Sequence, residues 1–113
     1  MTEPTCGLNN SWYSPVYIRN FAIDFDDTIT ADPEVIAALV HAGKKKGHRF
    51  YCVTARRSTE ENEDIVNEVL DKYDIQMPII FTNLCSKLQA VAERGIVIDI
   101  WMDDDPMTLV HGH

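Results

Sequence analysis

The sequence predicts a single α/β domain: a mostly parallel, four-stranded sheet with helices on both faces. Three observations lead there. Four short segments are almost continuously apolar, as strands buried on both sides are. The segments between them show helical periodicity and are long enough for crossovers between parallel strands. The polar residues with chemical potential follow directly after the apolar segments, where open α/β sheets gather their working groups. A chain of 113 residues suits one domain and can bury a core without disulfide or metal staples. Residues 1–14, rich in Pro, Gly, Asn and Ser, read as an irregular arm, with Trp12 and Tyr13 packing it onto the body; residues 15–113 form the domain.

The first strand is expected over residues 16–25, ending in "DFDDT". A helix follows at once. Asp32 is its N-cap, Pro33 its first residue, and Glu34 suits the positive end of the dipole. Val35, Ile36, Leu39 and Val40 share one face, and Lys44, Lys45, Lys46 and Gly47 have the character of a helix C-terminus. The second strand, residues 50–53, stops at Thr54. Ser58 and Glu61 have capping-box spacing for a second helix, whose inner face is Ile65, Val66, Val69, Leu70 and Tyr73. Residues 78–81 form the third strand. Ser86 and Gln89 repeat the capping-box spacing, Leu88, Val91 and Ala92 form the inner face of the third helix, and Gly95 ends it. Lys87 falls outside that apolar face. Residues 96–102 form the fourth strand, running into "DDDP".

Asp24, Asp26, Asp27 and Thr28 thus follow the first strand, Thr54 the second, and Asp103, Asp104 and Asp105 the fourth, with Lys87 at the helix after the third. Clustered carboxylates repel one another and raise each other's pKa unless something compensates them. A hard divalent cation such as Mg²⁺ does so with oxygen ligands, here Asp24 and one of Asp103 or Asp104. Lys87 and Thr54 offer a phosphate group a positive charge and a hydroxyl, and backbone N–H groups of the turn through Asp26, Asp27 and Thr28 add donors. Asp24 and Asp26 point the same way in an extended segment, so one can attack while the other handles a proton.

These residues resemble the motifs of the haloacid dehalogenase-like (HAD) phosphohydrolase superfamily over roughly residues 16–106. "DFDDT" fits its D-x-D-x-T pattern, "FYCVT" resembles its second motif, Lys87 its third-motif lysine, and "IDIWMDD" its fourth motif. The resemblance implies a three-layer α/β/α sandwich on a Rossmann-like sheet, and a Mg²⁺-dependent phosphatase working through an aspartyl-phosphate. It implies Asp24 as nucleophile and Asp26 as general acid/base. It implies Mg²⁺ held by the Asp24 carboxylate, the Asp26 main-chain carbonyl and Asp103 or Asp104, and phosphate held by Thr54 and Lys87, with Lys87 also steadying the nucleophile. Asp27 departs from the pattern, standing where the family commonly has glycine. No insertion long enough for a cap domain follows Thr28 or precedes Lys87. The chain resembles the capless type, whose open site suits a bulky phosphorylated substrate, such as a nucleotide or polynucleotide, or closure by a second copy. Arg56 and Arg57 fall near the predicted site, with solvent exposure as their default.

Two rival readings stand beside this one. A receiver domain also uses acids, Thr and Lys around Mg²⁺, but in a different order along the chain. A non-catalytic HAD-like binding or assembly module is the other, and the presence of both Asp24 and Asp26 speaks against it. A formal net charge of −8 argues against a general nucleic-acid or membrane-surface binder. No apolar run is long enough to span a bilayer, and no basic region followed by an apolar one marks a secretory leader. Cys6, Cys52 and Cys85 lack metal-ligand spacing and suit a reducing, cytoplasmic setting, with Cys52 a small core residue.

Overall fold

The computed structural model describes residues 17–112. The arm expected over residues 1–14 lies outside them. The described chain is α/β. Its strands are β1 (Asn20–Ile23), β2 (Arg49–Thr54), β3 (Ile79–Phe81) and β4 (Ile100–Met102). Its helices are α1 (Pro33–Lys45), α2 (Glu60–Lys72), α3 (Lys87–Glu93) and α4 (Met107–Val110). The sheet order is β3-β2-β1-β4, and every neighbouring pair is parallel. The chain moves outward from β1 to β3, then returns to place β4 on the other flank of β1. Such a reversal leaves a crevice beyond the carboxyl ends of the two strands that flank it, here β1 and β4.

Successive strand residues enter different cores, as the period-two alternation of a strand requires. Ile23, Phe50 and Cys52 pack with Ile36 and Val40 of α1 and Val66 and Leu70 of α2. Ala22 and Val53 pack with Ala90 and Val91 of α3. The Cys52 thiol is fully buried, and that burial pushes its pKa well up, so it behaves as core. No described helix is long and apolar enough to cross a membrane.

The caps show how local chemistry sets element ends. Asp32 starts α1 by accepting from the Val35 N–H at 3.2 Å, with Pro33 behind it. Gly47 takes φ +92° after the last turn, a conformation that favours glycine. The cap of the second helix falls one residue later than predicted. The Ser58 N–H is held by the Asn83 side chain at 2.8 Å, and Thr59 caps instead, accepting from Asn62 N–H at 3.1 Å. In α3, Ser86 accepts from Gln89 N–H as predicted, but the Gln89 side chain turns to Glu93.

Other differences are tertiary in origin. Val35 is 60 % exposed, because the inward stripe of α1 runs through Ile36, Ala37 and Val40. The stripe of α3 runs through Lys87, Ala90 and Val91, leaving Leu88 and Ala92 outside. Strand β1 is shorter than residues 16–25. Strand β4 starts at Ile100 rather than residue 96, because an Asn20–Asp99 clasp precedes the ladder: Asn20 N–H donates to the Asp99 carboxylate, and its side-chain amide donates to the Val97 carbonyl, both at 2.8 Å.

Gly43 in α1 faces Phe50, which is buried and stacked on Phe21 with ring centroids 4.7 Å apart. A Cβ at Gly43 would overlap the Phe50 ring. Gly→Ala inside a helix ordinarily gains up to about 1 kcal/mol. Here overpacking, which costs about 1–3 kcal/mol, outweighs that gain. Gly43→Ala should therefore lower the urea midpoint. A raised midpoint would show that Phe50 yields freely.

Candidate active site

Strand β1 delivers Asp24 to the crevice. Its N–H donates to the Met102 carbonyl at 2.9 Å, so the β1–β4 pairing carries through to Asp24 itself. The chain then makes a wide turn over Phe25–Ile29, closed by Ile29 N–H to Asp24 carbonyl and Thr30 N–H to Phe25 carbonyl. Phe25 and Ile29 anchor the turn in the core, while Asp26 and Asp27 are exposed. Asp27 has φ +62°, and its N–H donates to Thr30 Oγ1 at 2.9 Å. Aspartate tolerates this left-handed conformation better than most residues, which is how the turn forms without glycine.

Lys87 reaches the same place from the first residue of α3. Only 2 % of it is exposed. Its Nζ donates to Asp24 Oδ1 at 2.8 Å and to Asp103 Oδ2 at 2.5 Å. The expectation that Lys87 lies outside the packed face is overturned: the helix turns so that the ammonium meets two carboxylates. The other oxygen of Asp103 accepts from Asp105 N–H at 2.9 Å, and Thr108, buried in α4, donates to the Asp105 carbonyl at 2.8 Å. Neither α4 nor Thr108 was anticipated. Four residues after Pro106 carry too little periodicity to announce a helix.

Asp24, Asp26, Asp27, Lys87, Asp103, Asp104, Asp105 and Thr108 line one cleft of about 240 Å³, together with Ala55. Thr54 and Thr28 do not line it. Thr54 is wholly buried and its hydroxyl accepts from the Arg56 N–H at 3.3 Å. Thr28 donates to Asp24 Oδ2 at 3.5 Å, a long contact. Arg56, whose default was solvent, forms a forked pair with Asp26, Nε to Oδ2 at 3.0 Å and Nη2 to Oδ1 at 2.9 Å. Arg57 is exposed.

Oxygens of Asp24, Asp103 and Asp104 lie within 4.8 Å of one another. Three convergent carboxylates form a donor set that fits a hard divalent cation, with Asp104 the most exposed of the three. Asp105 is not in this group. Burial pushes the Asp24 carboxyl up to about 6; Lys87 opposes the rise, and Asp104 and Asp103 add to it. Asp24 is therefore ionised at neutral pH. Burial disfavours the charged form of Lys87, but its bonds to Asp103 and Asp24 prevail and hold the ammonium above the usual lysine range.

Comparison of the chain with protein-family models, with curated proteins and with solved structures found no match.

Two outcomes follow from the ion triad. Lys87→Ala leaves Asp24 and Asp103 buried without their cation, and breaking a buried pair in this way costs about 3–5 kcal/mol. Urea unfolding should show that loss, and replacing both carboxylates by Asn in the Lys87→Met background should recover much of it. A Lys87→Ala midpoint equal to wild type would mean the triad is stabilised by solvent instead. The second outcome concerns pH. Because the folded pKa of Asp24 is raised, the native state holds its proton where the unfolded state has lost it, and stability falls as pH rises from about 4 to about 6. Without divalent cation, wild type should lose stability relative to Asp24→Asn across that window and hold level above it. A constant difference between pH 4 and 7 would contradict the raised value.

Proposed function

We propose that the chain is a Mg²⁺-dependent phosphatase of the capless HAD-like type, with a three-layer α/β/α arrangement, that hydrolyses phosphate monoesters through an aspartyl-phosphate on Asp24. The observation that carries this reading is the meeting of Asp24, Lys87, Asp103 and Asp104 beyond β1 and β4, with Asp26 on the same cleft. The left-handed Asp27, at a position where the family commonly has glycine, supports it further.

The roles follow from the environments. Asp24 is ionised at pH 7 and steadied by Lys87 and by the β4 backbone, so one oxygen can be presented to phosphorus. As the Asp24 oxygen bonds to phosphorus, the bond to the leaving oxygen breaks, and Asp26, which must enter this step protonated, supplies that oxygen with its proton. Water then cleaves the aspartyl-phosphate, and Asp26 takes a proton from it. Lys87 neutralises charge beside the nucleophile and the phosphate. The carboxylates of Asp24, Asp103 and Asp104, with the Asp26 carbonyl, would hold Mg²⁺, which would supply charge neutralisation for the phosphoryl oxygens. Thr54 does not line the cleft, and its hydroxyl accepts from the Arg56 backbone N–H, so it is given no phosphate contact.

Charge narrows the substrate. Six aspartates line the cleft, and one divalent cation, Lys87 and Arg56 together offset four of the six charges. A phosphate on a neutral or cationic body fits better than a polynucleotide end. Only residues 30–32 separate the turn from α1, leaving the cleft open to a bulky substrate or to a second copy of the chain. The free Cys52 and Cys85 suit a reducing, cytoplasmic setting.

The test uses Mg²⁺ and two substitutions. Mg²⁺ should raise the Tm of wild type, since it binds the native state alone. Asp24→Asn should abolish both covalent phosphorylation and turnover and weaken the Mg²⁺ effect. Asp26→Asn should keep the Mg²⁺ effect but lose about 10²–10⁴ in rate on an alkyl phosphate, and less on an aryl phosphate whose leaving group needs little protonation. Undiminished turnover by Asp24→Asn would end the aspartyl-phosphate reading.

A further inference from the structure

We infer that the edge of β2 at the amino end of the sheet is a second binding site, one that takes the carboxy-terminal residue of an extended peptide. The site stands apart from the acidic cleft and does not depend on the phosphatase reading.

Strand β2 outruns its neighbour. It begins at Arg49, while β3 begins at Ile79, opposite Cys52. The ladder fixes which way the backbone groups face. Arg49 N–H donates to the Arg19 carbonyl on the β1 side, and Cys52 N–H donates to the Pro78 carbonyl on the β3 side. Alternation then turns the N–H and C=O of Phe50 toward the β3 side. Continued pairing there would need the Gln76 carbonyl and an N–H at residue 78. Lys44 Nζ takes the Gln76 carbonyl, and Pro78 has no N–H to give. Among the described residues neither Phe50 group finds a partner. Phe50 is 3 % exposed, and buried backbone groups left unpaired are rare.

A cavity of about 270 Å³ opens at this edge. Phe50, Tyr51 and Pro78 give it apolar walls, Lys44 and Arg49 bring positive charge, and His48 completes the rim. After its bond to Gln76, Lys44 keeps two of its three N–H donors. His48 Nδ1 accepts from Arg19 N–H at 3.0 Å, which leaves Nε2 to carry the ring proton as a donor. Lys45 and Lys46 follow Lys44, and residues 35–59 contain no Asp or Glu. In a chain of formal net charge −8 this end of the sheet reverses the sign, opposite the acidic cleft.

A carboxylate answers the cations and the Phe50 N–H, but the free Phe50 carbonyl asks for a donor at the same place. The last residue of an extended peptide carries both groups at strand spacing. Its amide N–H donates to the Phe50 carbonyl, and one carboxylate oxygen accepts from the Phe50 N–H, as two residues of a hydrogen-bonded antiparallel pair exchange their bonds. The second carboxylate oxygen falls to Lys44 and Arg49. An apolar side chain packs against Tyr51 and Pro78. This is strand addition one residue long, in which charge replaces the further ladder bonds.

The experiment follows backbone amide resonances of the ¹⁵N-labelled chain in EDTA. Three probes are titrated: N-acetyl-leucine, its carboxamide, and 4-methylpentanoate, which keeps the carboxylate and lacks the amide N–H. N-acetyl-leucine should shift the Phe50 amide and those around it, with a Kd on the order of millimolar, as suits so small a ligand. The amides of residues 24–27 and 103–105 should stay in place. The other two probes should each bind about fivefold more weakly, having lost one partner of the Phe50 pair. Lys44→Ala and Arg49→Ala should each weaken N-acetyl-leucine about two- to fivefold, since both side chains are exposed. Pro78→Ala supplies an N–H that can pair with the Phe50 carbonyl, so it should remove the advantage of N-acetyl-leucine over 4-methylpentanoate. If that variant folds poorly, the same two probes compared on wild type decide the point. A Phe50 amide unmoved at tens of millimolar N-acetyl-leucine would overturn the inference. So would equal binding of the three probes, shifts confined to the cleft, or an unchanged preference in Pro78→Ala. Each of these failures would leave the phosphatase reading untouched.

Discussion

A lysine ammonium with almost no access to water lies between the carboxylates of Asp24 and Asp103, and the crevice end of the sheet is arranged around it. Three elements meet at that charge: the end of β1, the end of β4 and the start of α3. Bringing an ion out of water is expensive, and an apolar filling of similar volume would often be as stable or more so. What the ion triad secures is therefore position. It turns α3 so that Lys87, Ala90 and Val91 face inward and Leu88 faces out, although hydrophobicity alone would favour the reverse. It also draws Asp103 toward Lys87, so that its second oxygen can catch the Asp105 N–H and shape the turn into α4.

Asp24 and Asp26, two residues apart, occupy opposite environments. Asp24 is buried, bonded to a buried lysine, and raised to about 6. Asp26 is half in solvent and gripped by a guanidinium from the loop after β2. Paired carboxylates in unlike surroundings are how one site divides two tasks between two chemically identical groups. The turn over Phe25–Ile29 makes the difference possible. Its apolar ends are fixed in the core, its middle is lifted into water, and the left-handed Asp27 supplies the change of direction.

The acidity of the cleft follows from the same geometry. The switch point brings the acids after β1 beside the acids after β4, which are far apart in sequence. Lys87 answers part of that charge from within and Arg56 answers part from the rim, leaving Asp104 the freest carboxylate of the convergent set. A hard cation completes such an arrangement with least disturbance, because its ligands are already oxygen and already close.

Much of the fold was legible in the residues. The apolar runs, the helical spacing between them, Asp32 with Pro33, Ser86, and Gly47 past a helix end all act over a few residues, so the chain by itself determined the order of elements and several of their ends. The strand-end rule likewise singled out Asp24, Lys87, Asp103 and Asp104 before any contact was known, because a parallel sheet exposes the same end of every strand. What local chemistry could not carry was decided by partners distant in sequence. The start of β4 depends on Asn20 meeting Asp99, the cap of α2 on Asn83 holding Ser58, and the rotation of α3 on two carboxylates 63 and 16 residues from Lys87. Thr54 is buried and does not line the cleft, and the default for Arg56 is solvent exposure, because nothing in its neighbours announces that Asp26 lies within reach of its fork. Periodicity and capping are properties of a segment; the pairing of charges across the end of a sheet is a property of the packed chain, and only the tertiary structure decides it.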